Sequence, residues 1–479
     1  MDGHYKTKIF PKQEVDLMRL FNIFKTLFAV IIICWSQISF AAMSNEDMLN
    51  KLNELSTIIQ KQQQEIEMLK QELKNQKESI DQVKENQKEE ITKTVKTETE
   101  EKSKEWNEKI PKWIKDTKVS GDLRLRYEGI YNREERQTDG SIKDLPTRDR
   151  FRIRARLFFD SNISDEVSTH FMLCTNQDSY QEATTTNQSF TDDFNDKGIY
   201  LHRAYATYMP NWLKKLELAG GKFKNTFLHT DIMWDPDVNP EGFYEYYQYP
   251  GWADFKPFVQ LGQMVVNEVK NETDDAALFI YQAGFDWNIG KVNWVLAGSY
   301  YDWANLENSK YLHEANYKTG GGNSFILDAN GNLQYAYGYN LWEGISHVTF
   351  KLGEIPTTLI LDYIVNTADN VPGDQDTAYY LGFDLGKAKK KGDWSIGYKY
   401  ARIERDAVIG SMNDQDFYGA NRKGHKVKFK YMVLDRLRFD AAYFYTDPVT
   451  DWDTSDVTFS KNKEREHEDR VQTDLIFNF

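Results

Sequence analysis

From Val119 to the end of the chain, apolar and polar residues alternate with a period of two, interrupted by short turns or by long polar stretches. The closing segment VQTDLIFNF shows the pattern plainly. Val471, Thr473, Leu475, Phe477 and Phe479 share one parity, and Gln472, Asp474, Ile476 and Asn478 share the other, with Ile476 the one misfit. Side chains of a strand point alternately to opposite faces, so this period predicts half-buried strands. About sixteen are expected, near 119–131, 149–160, 166–177, 198–209, 215–224, 241–249, 255–268 and 275–288, then 291–303, 334–352, 356–366, 376–386, 393–405, 424–434, 437–446 and 469–479.

The links between these strands sort by parity. After every even strand the link is short: SNISDE, PNWLKK, PGWAD, IGK, LGEI, GKAKKKGD and LDR. The others are mostly long and polar, as at 132–148, 178–197, 224–240, 304–333 and 406–423. A soluble sandwich has no reason to sort its loops this way, whereas an outer-membrane barrel carries tight periplasmic turns at one end and long external loops at the other. Closure follows, because an open sheet edge in lipid leaves backbone groups without partners. The expected fold is therefore an all-β transmembrane barrel of about 16 antiparallel strands over 118–479, both barrel ends lying on the periplasmic side.

Ahead of the barrel the period changes to seven. Leu52, Ile59, Ile66, Leu73 and Ile80 recur at one seam position, with Met48, Leu55, Leu69 and Val83 at its companion and Gln62 and Gln76 filling the remaining companion sites. More than four heptads without Gly or Pro predict an α-helical coiled coil within residues 44–110, which would require self-association, a trimer being preferred. The charged Thr/Glu/Lys stretch that follows Glu90 reads as a linker ending at Pro111. Upstream, residues 1–41 read as a signal peptide: Arg19 and Lys25, an apolar run from Leu27 to about Trp35, then Ser39-Phe40-Ala41. Its start lies either at Met1 or at Met18, since Asp2, Glu14 and Asp16 are foreign to a basic leader.

Composition changes the picture in three places. Mean hydropathy of -0.68 with 14% aromatic residues suits a barrel, in which only every second residue is apolar and aromatics collect at both interfaces. A net charge of -14 argues against nucleic acid as a partner. Of two cysteines, Cys34 falls in the leader, so Cys174 is left without an intrachain disulfide partner.

Parity also assigns the faces. In GDLRLRYEG, Leu123, Leu125 and Tyr127 face lipid, so Arg124, Arg126 and Glu128 face the lumen. In RFRIRARLFF the same rule stacks Arg150, Arg152, Arg154 and Arg156 inward, and in HKVKFKYMV it turns Lys426, Lys428 and Lys430 inward, followed by Arg438 and Asp440. Closure makes the last strands neighbours of the first, so these cations form one wall. The opposite assignment would cost about 2–4 kcal/mol for each Arg or Lys near the midplane. The third external link, KNTFLHTDIMWDPDVNPEGF, offers Asp231, Asp235, Asp237 and Glu241; folded inward, it would be a constriction loop facing the basic wall. The wall could alternatively serve only to wet the interior, and the loop could form an external cap. No G-x-S-x-G, H-E-x-x-H or cysteine cluster occurs, so neither catalysis, cofactor nor metal is expected.

VSGDLRLRYEG, RDRFRIRARL, GKFKNTF with DIMWDPDVNPEGF, and the terminal IFNF resemble the putative-porin family of Gram-negative outer-membrane barrels, relatives of the phosphate-selective porins. The resemblance spans about 118–479 and implies a passive diffusion channel for small hydrophilic solutes and ions, usually a homotrimer. In phosphate-selective relatives arginine ladders guide anions, and the ladder here is similar in kind; phosphate specificity is not carried over, because the carboxylates here could equally give weak or mixed selectivity in place of an anion preference. Phe477 and Phe479 resemble the terminal signal read by the barrel-assembly machinery. The rival reading is a structural barrel tethering the outer membrane to the cell wall through its coiled coil.

Overall fold

The computed structural model describes residues 45–109, 111–137, 139–176, 183–191, 193–268, 270, 275–307, 321–329, 331, 333–451 and 466–479. The expected leader, with Cys34, lies outside the described residues. Two compact units result, Met1–Lys109 and Ile110–Phe479.

Among the described residues the first unit is one helix, α1 (Asn45–Lys109). It runs well past the expected coil, through the stretch read as a linker. That stretch lacks Gly and Pro and is rich in straight-chain Glu and Lys, which lose little freedom in a helix. Its threonines stay in register by returning their hydroxyls to the turn below: Thr92 Oγ1 donates to the Lys88 carbonyl at 2.6 Å and Thr97 Oγ1 to the Lys93 carbonyl at 2.8 Å. Pro111, which has no N–H to donate, follows its end.

The second unit is a closed barrel. Its strands are β1 (Lys118–Tyr131), β2 (Arg148–Asn162), β3 (Val167–Thr175), β4 (Ile199–Tyr208), β5 (Leu216–Lys222) and β6 (Glu241–Gln248). Then come β7 (Phe255–Val265), β8 (Ala277–Ile289), β9 (Val292–Ala304), β10 (Tyr339–Leu352) and β11 (Ile355–Asn366). The last are β12 (Thr377–Gly386), β13 (Trp394–Ile403), β14 (Arg422–Leu434), β15 (Leu437–Pro448) and β16 (Glu468–Asn478). Each pairs antiparallel with its chain neighbour, and β16 returns to β1 from Asp122↔Asn478 to Tyr131↔Asp469. No edge remains, so every strand can satisfy its backbone within the sheet. Short links follow even strands, three of them only two residues long (290–291, 353–354 and 435–436); in the first, Gly290 adopts φ 61° to turn β8 into β9. Among the described residues no helix is long and apolar enough to cross a membrane.

The outer face is apolar and banded with aromatics. Tyr281, Tyr300 and Trp342 stack across β8 to β10 (ring centroids 6.4 and 4.9 Å apart), and Trp287 lies 6.4 Å from Trp294 near the short-turn end. Rings that are half in hydrocarbon and half in headgroups are what two membrane interfaces select.

The lumen is not uniformly polar. Inward residues of β8 to β13, among them Leu278, Ile280, Tyr301, Leu341, Ile364 and Ile403, pack with loop residues into one buried cluster. The loop residues come mainly from two long links, 223–240 (Phe223, Phe227, Ile232, Trp234) and 404–421 (Val408, Ile409, Phe417), with Leu306, Phe325 and Tyr335 added from 305–338. Trp234 stacks on Trp303 of β9 with centroids 5.8 Å apart. Both links therefore fold into the barrel and fill one side of it. The other side holds a cavity lined mostly by charged residues.

Candidate functional site

The polar side is walled by β1, β2 and β14 to β16. Inward parity on β1 and β2 places Arg124 opposite Arg154 and Arg126 opposite Arg152 in the sheet register. So many guanidiniums at strand spacing require counter-charges, and the same strands supply them. Asp122 accepts from Arg154 at 2.8 Å and from Arg156 at 2.7 Å. Glu128 accepts from Arg150 Nε at 2.6 Å and lies 3.7 Å from Arg152. Asp474 of β16 takes Arg126 at 2.7 Å with Arg124 at 3.8 Å, and Asp440 takes Arg438 at 2.6 Å. The ladder expected from parity points inward, but it is largely neutralised.

Loop 223–240 meets this wall. Asp235 opens a turn through Pro236, closed by the Val238 N–H donating to its carbonyl at 3.0 Å; proline presets the backbone angle such a turn needs. Asp231 accepts from Lys399 of β13 at 2.7 Å and from Lys426 of β14 at 3.3 Å. Asp237 accepts from the Thr186 N–H and hydroxyl at 3.1 and 3.0 Å and lies 3.8 Å from Arg156. Asp235 is buried and accepts the Asp237 N–H at 2.7 Å. Glu241 does not join them. It shares the outward parity of Phe243 and Tyr247, pairs with Lys222 at 2.7 Å, and is placed outside the constriction.

A second inward loop carries carboxylates that parity does not reveal. In 404–421, Asp414 caps a single 3₁₀ turn and accepts from Lys426 at 2.6 Å, while Asp416 accepts from Arg470 at 2.6 Å and Arg126 at 3.4 Å. The two loops bond directly: the Asp235 N–H donates to the Met412 carbonyl at 2.8 Å, and the Asp414 N–H to the Asp231 carbonyl at 3.0 Å. The sequence signal for this fold-in is the apolar Val408, Ile409 and Phe417 in an otherwise polar link.

Burial and charge pull these loop carboxyls apart. Burial alone would raise Asp231, but Lys399 and Lys426 hold it far below the usual range; Arg470 and Arg126 do the same for Asp416. Burial also opposes ionisation of Asp237, and Arg154, Arg124 and Arg156 prevail over it. Among the described residues Asp235 forms no such ion pair. Burial, then the Asp237 and Asp414 carboxylates, push it well above the ordinary value.

Between wall and loops lies a cavity of about 390 Å³. Eight basic and seven acidic side chains line it, so their sum decides little and the unpaired ones matter. Arg124, Arg126, Arg154, Arg156, Lys426 and Arg438 each have a carboxylate within 4 Å. Lys428 and Lys430 line the cavity with no hydrogen bond or ion pair among the described residues. Phe477 and Phe479 lie on the outer face at the end of β16, 38% and 59% exposed. Among the described residues no cluster of His, Cys, Asp or Glu is arranged to hold a metal ion.

A closed sixteen-strand barrel with aromatic bands outside and a charged, loop-narrowed lumen is an outer-membrane channel. The chain belongs to the family described as "Putative porin", whose model matches residues 44–147, 141–330 and 315–460. No curated protein matches it. Similar solved structures include OprB of Pseudomonas putida at high pH, 12% identical over 76% of this chain and 95% of that one, with a TM-score of 0.47. The trimer form of OmpT from Vibrio cholerae is 12% identical over 76% and 99% (TM-score 0.41), and the outer membrane channel DcaP of Acinetobacter baumannii 13% over 76% and 97% (TM-score 0.40).

Proposed function

We propose that the barrel is a porin passing small hydrophilic solutes and ions passively, with a bias toward anions set by Lys428 and Lys430. The single observation behind this reading is the pairing pattern. An ammonium locked to a carboxylate presents little net charge to a passing ion, while an unpaired one in a narrow, low-dielectric passage attracts anions and raises their local concentration. The arginine ladder, matched by Asp122, Glu128 and Asp474, then serves mainly as a rigid polar wall.

Purified protein in planar bilayers under a salt gradient tests this. The wild type should show stepwise conductance and an anion-selective reversal potential. Changing Lys428 and Lys430 to Glu should alter the anion-to-cation permeability ratio by at least about fivefold, since a unit charge about 4 Å away contributes roughly 1 kcal/mol even in water. Changing Arg152 and Arg154 to Glu should shift it in the same direction but less. An unchanged potential in the lysine variant sinks the assignment, and no conductance steps in the wild type would favour the tether.

A further inference from the structure

The short links at one end of the barrel share charge unequally. Residues 387–393, between β12 and β13, hold Lys387, Lys389, Lys390 and Lys391 against the single carboxylate of Asp393, in a chain whose net charge is -14. No other short link holds more than two cations. The neighbouring link, 435–436, adds Arg436 and Asp435.

Hydrogen bonds join these two links into one platform. The Lys391 N–H donates to the Asp435 carboxylate at 2.9 Å. The Gly392 N–H donates to the Met432 carbonyl at 2.8 Å, and the Met432 N–H returns to the Asp393 carbonyl at 2.9 Å. Within the turn, the Asp393 carboxylate accepts the Lys389 and Lys390 N–H groups at 3.2 and 2.9 Å. Both carboxylates are thus turned to backbone. All five cations are exposed, and among the described residues their side chains make no hydrogen bond or ion pair. Like charges fixed so close together repel one another and attract an anion that can bridge them.

Depth in the membrane names that anion. Trp394 of β13 and Tyr431 of β14 are register partners on the outer face, 38% and 39% exposed, as interfacial aromatics are. Gly386 lies opposite Ser395, so Lys387 leaves β12 level with Trp394. Lys391 is three residues from Trp394, a reach of at most about 10 Å, and the headgroup layer beyond the hydrocarbon is about 5–8 Å thick. The cations therefore stand among headgroups. Tight turns mark the periplasmic end, whose leaflet is phospholipid. We propose that Lys387, Lys389, Lys390, Lys391 and Arg436 form a binding site for the phosphate headgroups of anionic phospholipid in that leaflet. An ammonium is a point charge with three donors, suited to phosphate oxygens in any orientation, and the guanidinium of Arg436 can take two at once. Carboxylates of the cell wall carry the same sign but lie beyond the headgroup layer.

The folded full chain in micelles, titrated with short-chain phosphatidylglycerol or with phosphatidylcholine of the same acyl length and followed by native mass spectrometry, tests this. The wild type should bind the anionic lipid at least about tenfold more tightly, since each cation near a lipid surface contributes about fivefold. Combining K387Q, K389Q, K390Q and K391Q should bring the two lipids level, whereas the same four changes to Arg should keep the preference. K214Q with K215Q, on the other lysine-bearing link of this end, should leave it intact. Phosphate should displace the lipid no better than chloride of equal ionic strength. Equal affinity of the wild type for both lipids, a preference that survives the four Gln changes, or an equal loss in the Lys214 and Lys215 variant overturns the proposal. So does displacement by phosphate beyond that by chloride, which would make this a site for the free ion. Loss of co-sedimentation with cell-wall sacculi in the Gln variant, with its lipid preference unchanged, would assign the cations to the wall instead.

Discussion

At the scale of single residues, the lumen shows how a strand period fixes direction but not charge state. Each inward arginine was visible as arginine, yet its contribution to permeation depends on whether a carboxylate sits within reach. Asp235 poses the reverse question, because among the described residues it is a buried carboxyl with no ion pair. Its proton is held in the docked loop more tightly than in a free one, so docking contributes stability at low pH and loses it as pH climbs through the raised value. Asp231, Asp237 and Asp416 act with opposite sign: their depressed values add stability above the ordinary carboxylate range, lost only in stronger acid. Loop 223–240 should therefore be held most firmly in mild acid and loosen toward alkaline pH. Asp235→Asn, which mimics the protonated acid, should remove that alkaline loosening. Amide-exchange protection of residues 230–238 across pH reads this directly; identical profiles in both proteins would mean that Asp235 is ionised throughout.

At the scale of elements, closure rests on a close approach between the first and last strands. Gly121 and Phe479 exchange backbone hydrogen bonds of 3.0 Å each, and a Cβ on Gly121 would stand 2.5 Å from the Arg156 carbonyl oxygen and 2.6 Å from the Phe479 ring. Gly121→Val should cost roughly 1–3 kcal/mol as an overpacking change and lower the folded, heat-modifiable fraction on semi-native gels. A wild-type folded fraction would show that the ring simply swings away. The sixteen strands were legible beforehand because hydrocarbon permits only apolar side chains on every second position. Glu241 was misplaced because it was grouped with its loop, although its parity with Phe243 and Tyr247 put it outside. The helix beyond Glu90 was hidden by the lack of an apolar seam, leaving only propensity as a signal. Loop 404–421 escaped for a different reason: a chain folded inward without regular structure has no period, so Asp414 and Asp416 were seen only once Val408, Ile409 and Phe417 were found buried.

At the scale of the whole molecule, the cross-section is divided. One side is closed by apolar packing of both inward loops on β8 to β13, and the other holds a cavity lined by charges on β1, β2 and β14 to β16. The two loops do different jobs across that division, since each buries an apolar edge on one side and presents carboxylates to the wall on the other. Their removal should not open the barrel, whose ladders run unbroken from β1 to β16 and back. Replacing 407–419 by a short Gly/Ser link should therefore leave a folded barrel while uncovering the apolar side and stripping Asp414 and Asp416 from Lys399, Lys426, Arg126 and Arg470. Conductance should rise severalfold, and selectivity should move further toward anions because two carboxylates leave the lumen while Asp231, Asp474 and Glu468 remain beside the four cations. A narrower change, Asp414→Asn with Asp416→Asn, should produce the shift in selectivity with little gain in conductance, which separates the loop's charge from its bulk. If the shortened protein conducts as the wild type does, the passage must run elsewhere than beside this loop, and the division of the lumen proposed from its packing fails.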